Sequence, residues 1–120
     1  MGNAKYIIVT GGLGFIGSNL IAKLEEIGYD KIIVIDSFAN SDKWKNIAKR
    51  NCICKVISPE DIFLILESLS ESVQAIIHLG AISSTTEKDV DKLYITNYQL
   101  SVDLYVWCKQ NSAQFIYASS

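Results

Sequence analysis

The chain is 120 residues long, 49% hydrophobic and 20% charged, with a formal net charge of −2. That is enough for one folded domain and too apolar for a disordered segment. Acids and bases are interspersed, which excludes the basic footprint of a nucleic-acid binder and the polybasic stretch of a membrane-surface protein.

The start, "MGNAKYIIV", leads into a strand pattern without a charged n-region, a long h-region or a cleavage site, so a cytoplasmic protein is expected. Tyr6 stands where a myristoylation signal carries Ser or Thr. No apolar run approaches the roughly 20 residues that cross a bilayer.

In chain order, "YIIVT" (6–10) predicts a first strand, short, β-branched and continuously apolar, as a strand buried on both faces must be. A glycine cluster follows. Ile16, Leu20, Leu24 and Ile27 then recur at helical spacing, and Gly28 closes that helix as a C-terminal cap. "KIIVID" (31–36) is the second strand and "CICKVI" (52–57) the third. Cys52 and Cys54 alternate with Ile53, so both are expected on one strand face as buried small hydrophobes. With Cys108 they make neither a disulfide framework nor a metal set, because no second pair stands at a suitable spacing.

"SPED" (58–61) opens a helix, with Ser58 capping, Pro59 in the first turn and the acids facing the positive end of the dipole. Ile62, Phe63, Leu66 and Leu69 form its apolar stripe. "AIIHLG" (75–80) is the fourth strand, with His78 expected as a neutral, hydrogen-bonded strand residue. A longer helix runs from about Val90 to Asn111, burying Leu93, Leu100, Leu104 and Trp107. "QFIYAS" (114–119) is the fifth strand. Strands alternating with crossovers long enough for a right-handed return predict an α/β, Rossmann-like, doubly wound parallel sheet of five β/α units in three layers.

"VTGGLGFIGSN" (9–19) holds four of the seven glycines within seven positions. Gly12-Leu13-Gly14-Phe15-Ile16-Gly17 matches G-x-G-x-x-G between a strand and a helix, the context that the dinucleotide fingerprint requires. In that fingerprint Gly12 allows the sharp turn, Gly14 lets the backbone touch a pyrophosphate, and Gly17 lets the helix pack close to the sheet. The phosphates would rest on N–H groups at the positive helix end. The second strand ends in Asp36, nineteen residues past Gly17, where an acid accepts from the adenosine ribose hydroxyls.

Gly11-x-x-Gly14-x-x-Gly17 inside "TGGLGFIG" resembles the extended short-chain dehydrogenase/reductase family of nucleotide-sugar epimerases and dehydratases. "HLGAISSTTE" (78–87), "NYQLS" (97–101) and "FIYASS" (115–120) sharpen the resemblance toward the ADP-glycero-manno-heptose 6-epimerases. UDP-galactose 4-epimerases and dTDP-glucose dehydratases usually carry other residues in the loop after the fourth strand.

The resemblance implies that Phe15 and Ile16 give backbone contacts to the pyrophosphate and that Asp36 with Ser37 holds the adenosine ribose. It implies that Leu79, Gly80, Ala81 and Ser83 run beneath the nicotinamide half and that Asn97 steadies loop and cofactor. Ser83, Ser84, Thr85 and Thr86 would face a nucleotide-sugar substrate, and Ser120 would hydrogen-bond the hydroxyl being oxidised. An unshielded Asp36 by itself favours NAD. Lys43 matches a lysine that the heptose epimerases use near the 2′-phosphate, and on that ground NADP is expected. Trp44 is open to two readings, stacking on adenine or packing. The family carries polar adenine-recognising groups where this chain has Val56-Ile57.

Tyr105-Val-Trp-Cys-Lys109 spells the family's Y-x-x-x-K pattern, but it falls in the helix before the fifth strand. The family's pair lies beyond the serine that ends that strand. Tyr105 is therefore read as a helix-face residue and Lys109 as a solvated helix end. The chain is expected to be the N-terminal NAD(P)-binding part (1–120) of a longer homo-oligomeric enzyme, inactive by itself. The competing readings are another NAD-dependent nucleotide-sugar epimerase or dehydratase, of the UDP-galactose 4-epimerase or dTDP-glucose dehydratase type, and a non-catalytic dinucleotide-binding module.

Overall fold

A computed structural model describes residues 5–36, 51–79 and 90–117, the last segment with side chains from Asn97 onward. Its elements in chain order are β1 (Tyr6–Thr10), α1 (Phe15–Ile27), β2 (Ile32–Ile35), β3 (Ile53–Ile57), α2 (Ile62–Leu69), β4 (Val73–His78), α3 (Val90–Gln110) and β5 (Gln114–Tyr117). The five strands form one parallel sheet in the order β3-β2-β1-β4-β5. That is the doubly wound order expected of a Rossmann-like fold.

Side chains alternate across the sheet and feed two cores. Ile8, Ile33, Ile35 and Ile76 pack with Ile62 and Leu66 of α2 and with Leu104 and Cys108 of α3. Ile7, Val9, Ile32, Val34 and Ile77 pack on the other face with Ile21 of α1 and with Leu13. The sheet thus lies between helices, and β1 and β2 are buried on both sides. That double burial is why Ile7–Val9 and Ile32–Ile35 are unbroken apolar runs in the sequence.

Four local details differ from the sequence reading. In α1 the core-facing residues are Gly17 and Ile21, flanked by half-buried Leu20 and Leu24, while Ile16 and Ile27 are exposed. The stripe is turned by about one residue, because the close seating of the helix start on the glycine loop fixes its rotation. Ser58 makes no side-chain cap. Its carbonyl instead accepts the Asp61 N–H at 3.0 Å, closing a short 3-10 turn, and the α-helix starts at Ile62.

Cys54 is exposed, whereas Cys52 and Cys108 are buried. The β2–β3 register shifts so that Ile32 pairs with Ile53 but Ile33 with Lys55. Cys54 is the extra residue of that irregularity and leaves the face that Cys52 occupies. In α3, Leu104 is buried and Leu100 and Trp107 pack against the core, as expected. The side chain of Leu93 lies outside the described ones.

The helix ends follow elementary capping rules. Gly28, at φ 120°, lets its N–H reach the carbonyls of Leu24 and Glu25. Ser112, at φ 59°, turns the chain out of α3 so that the Ala113 N–H bonds the Cys108 carbonyl at 2.9 Å.

Candidate functional site at the carboxyl ends of β1, β2 and β4

Strand order reverses at β1: β2 and β3 lie on one side of it, β4 and β5 on the other. In open parallel sheets this reversal opens a crevice outside the carboxyl ends of the strands, between the loops that leave in opposite directions. Here those carboxyl ends carry the glycine loop after β1 and Leu79 after β4.

The glycine loop takes its shape from particular atoms. The turn out of β1 falls on Gly11, at φ 73°, and not on Gly12. Gly12 is buried, with no room for a Cβ against Val34 and Ile21. A Cβ on Gly17 would run into the Gly11 carbonyl oxygen. Gly17 therefore lets α1 start directly on the loop backbone, a closer neighbour than the sheet. Gly14 is the N-cap, extended at φ −75° and ψ 176°, and a Cβ there would meet only the Gly11 oxygen, at 3.5 Å. Gly14 is thus not required by the fold's own packing. Its bare Cα leaves space on the outward side, which is what a close-lying phosphate group needs.

Ser18 N–H donates to the Gly14 carbonyl at 2.9 Å, the first bond of α1. The N–H groups of residues 15–17 precede that bond and have no acceptor inside the helix, so they form its positive end. Phe15 and Ile16 are 81% and 71% exposed, so neither side chain is part of the core. Asp36, at the end of β2, accepts the Leu13 N–H on Oδ2 at 2.9 Å. This bond ties the acid to the middle of the glycine loop. The Asp36 N–H donates to the Ile57 carbonyl at 3.0 Å, which sets the end of β3 beside it.

Sequence reasoning gave no role to Thr10, the last residue of β1. Its hydroxyl lies 2.6 Å from His78 Nδ1, and both side chains are buried. The Leu79 N–H donates to Thr10 Oγ1 at 3.1 Å and to the Thr10 carbonyl at 3.2 Å. His78 is the buried, hydrogen-bonded strand residue expected, and burial holds its pKa below the ordinary value. A polar residue ending an otherwise apolar strand was the available signal for Thr10.

The structure brings Gly11, Gly12, Gly14, Phe15, Ile16, Gly17, Asp36 and Leu79 to one end of the sheet. Asn97 is half-buried in α3, where its carbonyl accepts the Ser101 hydroxyl at 3.1 Å. Ser37, Lys43, Trp44, Gly80, Ala81, Ser83, Ser84, Thr85, Thr86 and Ser120 lie outside the described residues. Tyr105 is exposed on α3 with its ring edge-on to Phe115, and Lys109 is exposed in the last turn. Among the described residues no cluster could hold a metal ion, and no helix is long and apolar enough to cross a membrane.

Comparison with known proteins agrees with this geometry. Residues 7–120 match the model of the NAD dependent epimerase/dehydratase family. An ADP-L-glycero-D-manno-heptose-6-epimerase of Nitratidesulfovibrio vulgaris is 42% identical over 114 residues, which is 94% of this chain and 35% of that protein. The enzyme of the same name from Fusobacterium nucleatum is 39% identical over 116 residues, 95% of this chain and 35% of its own length. The chain therefore spans about a third of the length of these relatives.

Among solved structures, the Bacillus cereus UDP-glucuronic acid 4-epimerase in complex with NAD superposes with a TM-score of 0.75 at 29% identity, over 96% of this chain and 39% of that one. The Bacillus anthracis dTDP-glucose 4,6-dehydratase in complex with NAD gives 0.71 at 26%, over 98% and 38%. The fold, the glycine loop tied to a strand-end acid and the family match over residues 7–120 agree: the chain belongs to the NAD dependent epimerase/dehydratase family.

Proposed function

We propose that residues 1–120 form the dinucleotide-binding part of a nucleotide-sugar epimerase, one that interconverts ADP-D-glycero- and ADP-L-glycero-manno-heptose with NADP as its resident cofactor. The observation that carries the binding role is the bond from the Leu13 N–H to Asp36, which sets a carboxylate beside the open N-terminus of α1. A pyrophosphate would rest on the N–H groups of residues 15–17, and Asp36 with Ser37 would take the ribose hydroxyls. The substrate assignment is supported by the relatives at about 40% identity that carry this name.

In this reading Leu79, Gly80, Ala81 and Ser83 line the nicotinamide half, and Asn97 steadies the loop after β4. Ser83, Ser84, Thr85 and Thr86 face the sugar nucleotide, and Ser120 orients the hydroxyl that is oxidised. When bound, a nicotinamide cofactor would supply the hydride-accepting and hydride-donating chemistry at the sugar carbon whose hydroxyl Ser120 would orient. The enzyme works in the cytoplasm, as a homo-oligomer, on a lipopolysaccharide precursor.

A second reading, NAD in place of NADP, is favoured by the Asp36 carboxylate, which repels a 2′-phosphate unless a cation stands near. Lys43 is the proposed cation. Lys43→Ala should weaken NADP binding by about 1–3 kcal/mol in calorimetry and leave NAD nearly unchanged. Equal losses would assign the lysine to loop folding. The activity is tested by following ADP-D-glycero-manno-heptose by NMR with the full-length gene product. Appearance of the C6 epimer supports the assignment. Turnover of UDP-galactose or dTDP-glucose in its place would move the protein to another branch of the family, and binding without turnover would make it a dinucleotide-binding module.

A further inference from the structure

Thr10 and His78 are the last residues of β1 and β4, and the parallel register sets them opposite each other. Each is followed by one wall of the crevice, Gly11 on one side and Leu79 on the other. The Thr10 hydroxyl is held from the last residue of β4 and the residue after it: His78 Nδ1 lies 2.6 Å away, and the Leu79 N–H donates to it at 3.1 Å. A hydroxyl oxygen that receives an N–H on one lone pair still has its own proton to place. Nδ1 of a neutral imidazole, unprotonated in the Nε2–H tautomer, is an acceptor within reach. Burial lowers the His78 pKa, which keeps the ring neutral near pH 7. From β5 the rings of Phe115 and Tyr117 lie at centroid distances of 6.2 and 5.6 Å and hold the imidazole plane.

We infer that His78 is a positioning residue: its Nδ1 accepts a hydrogen bond from the Thr10 hydroxyl, orients that oxygen toward the Leu79 N–H, and so clasps the two walls of the crevice in register for a dinucleotide. The inference rests on the dinucleotide reading above. Its physical content is that a ligand spanning both walls binds well only when they keep one spacing, and a rigid side-chain clasp maintains that spacing without ordering on binding.

The test combines a cofactor-free arm with a binding arm. Long-range proton–nitrogen NMR of the chain should show Nδ1 unprotonated and Nε2 carrying the proton. In His78→Phe, which keeps a planar ring but no acceptor, the Leu79 amide should exchange with solvent at least about tenfold faster. The Kd for NADPH, read by its fluorescence, should rise about tenfold in the same variant. His78→Asn can set an amide oxygen where Nδ1 stood, and it should restore the affinity to within about threefold. Should His78→Phe fail to fold, Thr10→Val removes the same bond, with Thr10→Ser as its rescue.

A protonated Nδ1 overturns the inference. So does wild-type NADPH affinity in His78→Phe, or an asparagine variant no better than phenylalanine. An unaltered chain with the expected tautomer and a protected Leu79 amide that binds neither NADPH nor NADH refutes the dinucleotide reading, and with it the role of the clasp for that ligand.

Discussion

Gly14 and Gly17 stand three residues apart, yet a side chain would affect them in opposite ways. At Gly17 a single methyl group meets backbone that cannot move without shifting the start of α1. At Gly14 it meets ordinary contact only, at a φ that any residue adopts. Gly14→Val should therefore stay folded, losing at most about 1 kcal/mol from a poorer N-cap, while NADPH binding falls below detection. Gly17→Ala should lower the thermal midpoint itself. A Gly14→Val chain with unchanged NADPH affinity in calorimetry would mean that no phosphate group lies against that Cα. His78 gives a pH effect whose sign is fixed. Burial depresses its pKa in the folded state, so the unfolded chain takes up the proton first as pH falls. The stability it contributes is present above about pH 6.5, the unfolded value, and is lost as pH drops through the lower folded value. Urea unfolding at pH 7.5 and 5.0 should show that loss in the wild type and a smaller one in His78→Asn. An equal loss in both would assign the acid sensitivity to other groups.

Helix α1 shows how an element's rotation is decided. The 3.6-residue period alone admits two stripes, one through Ile16 and Ile27 and one through Gly17 and Ile21. Seating the helix start on the Gly11 oxygen selects the second. Ile21→Ala should then cost about 2–4 kcal/mol in urea unfolding, whereas Ile16→Ser should change stability by less than about 0.5 kcal/mol. The reverse ranking would show that the helix sits in the other register. The same contrast explains what the sequence disclosed. Strands such as Ile7–Val9 and Ile32–Ile35 were legible because burial on both faces requires apolar residues at every position. The pairing of a glycine loop with Asp36 was legible because each carries a fixed spacing. The bulge that turns out Cys54 and the bond from Thr10 to His78 were not, since both arise from register between strands more than twenty residues apart in sequence. Local pattern carries no record of such a register.

At the scale of the whole sheet, the two outer strands are unlike in a way that bears on association. On β3 the edge is interrupted by the register shift at Cys54 and carries an exposed Lys55. Both features discourage pairing with another chain. On β5 the residues Gln114–Tyr117 hold no charge and show no such shift against β4. Ile116 and Tyr117 are 49% and 56% exposed. Ile116 shares the α1 face with its register partner Ile77, and α1 packs with β1 and β2 rather than β5. Among the described residues, then, an uncharged edge lies next to half-exposed apolar side chains, the combination by which one sheet templates another. The 120-residue chain should associate with rising concentration through β5. Sedimentation equilibrium should give an apparent mass that climbs above that of a monomer at tens of micromolar and upward, and Ile116→Lys should return it toward 13.3 kDa. The lysine sits on a half-exposed position, so circular dichroism should report an unchanged fold. A wild-type chain that stays monomeric over that range, or an Ile116→Lys variant that associates as strongly, would mean that other contacts govern the assembly of this sheet.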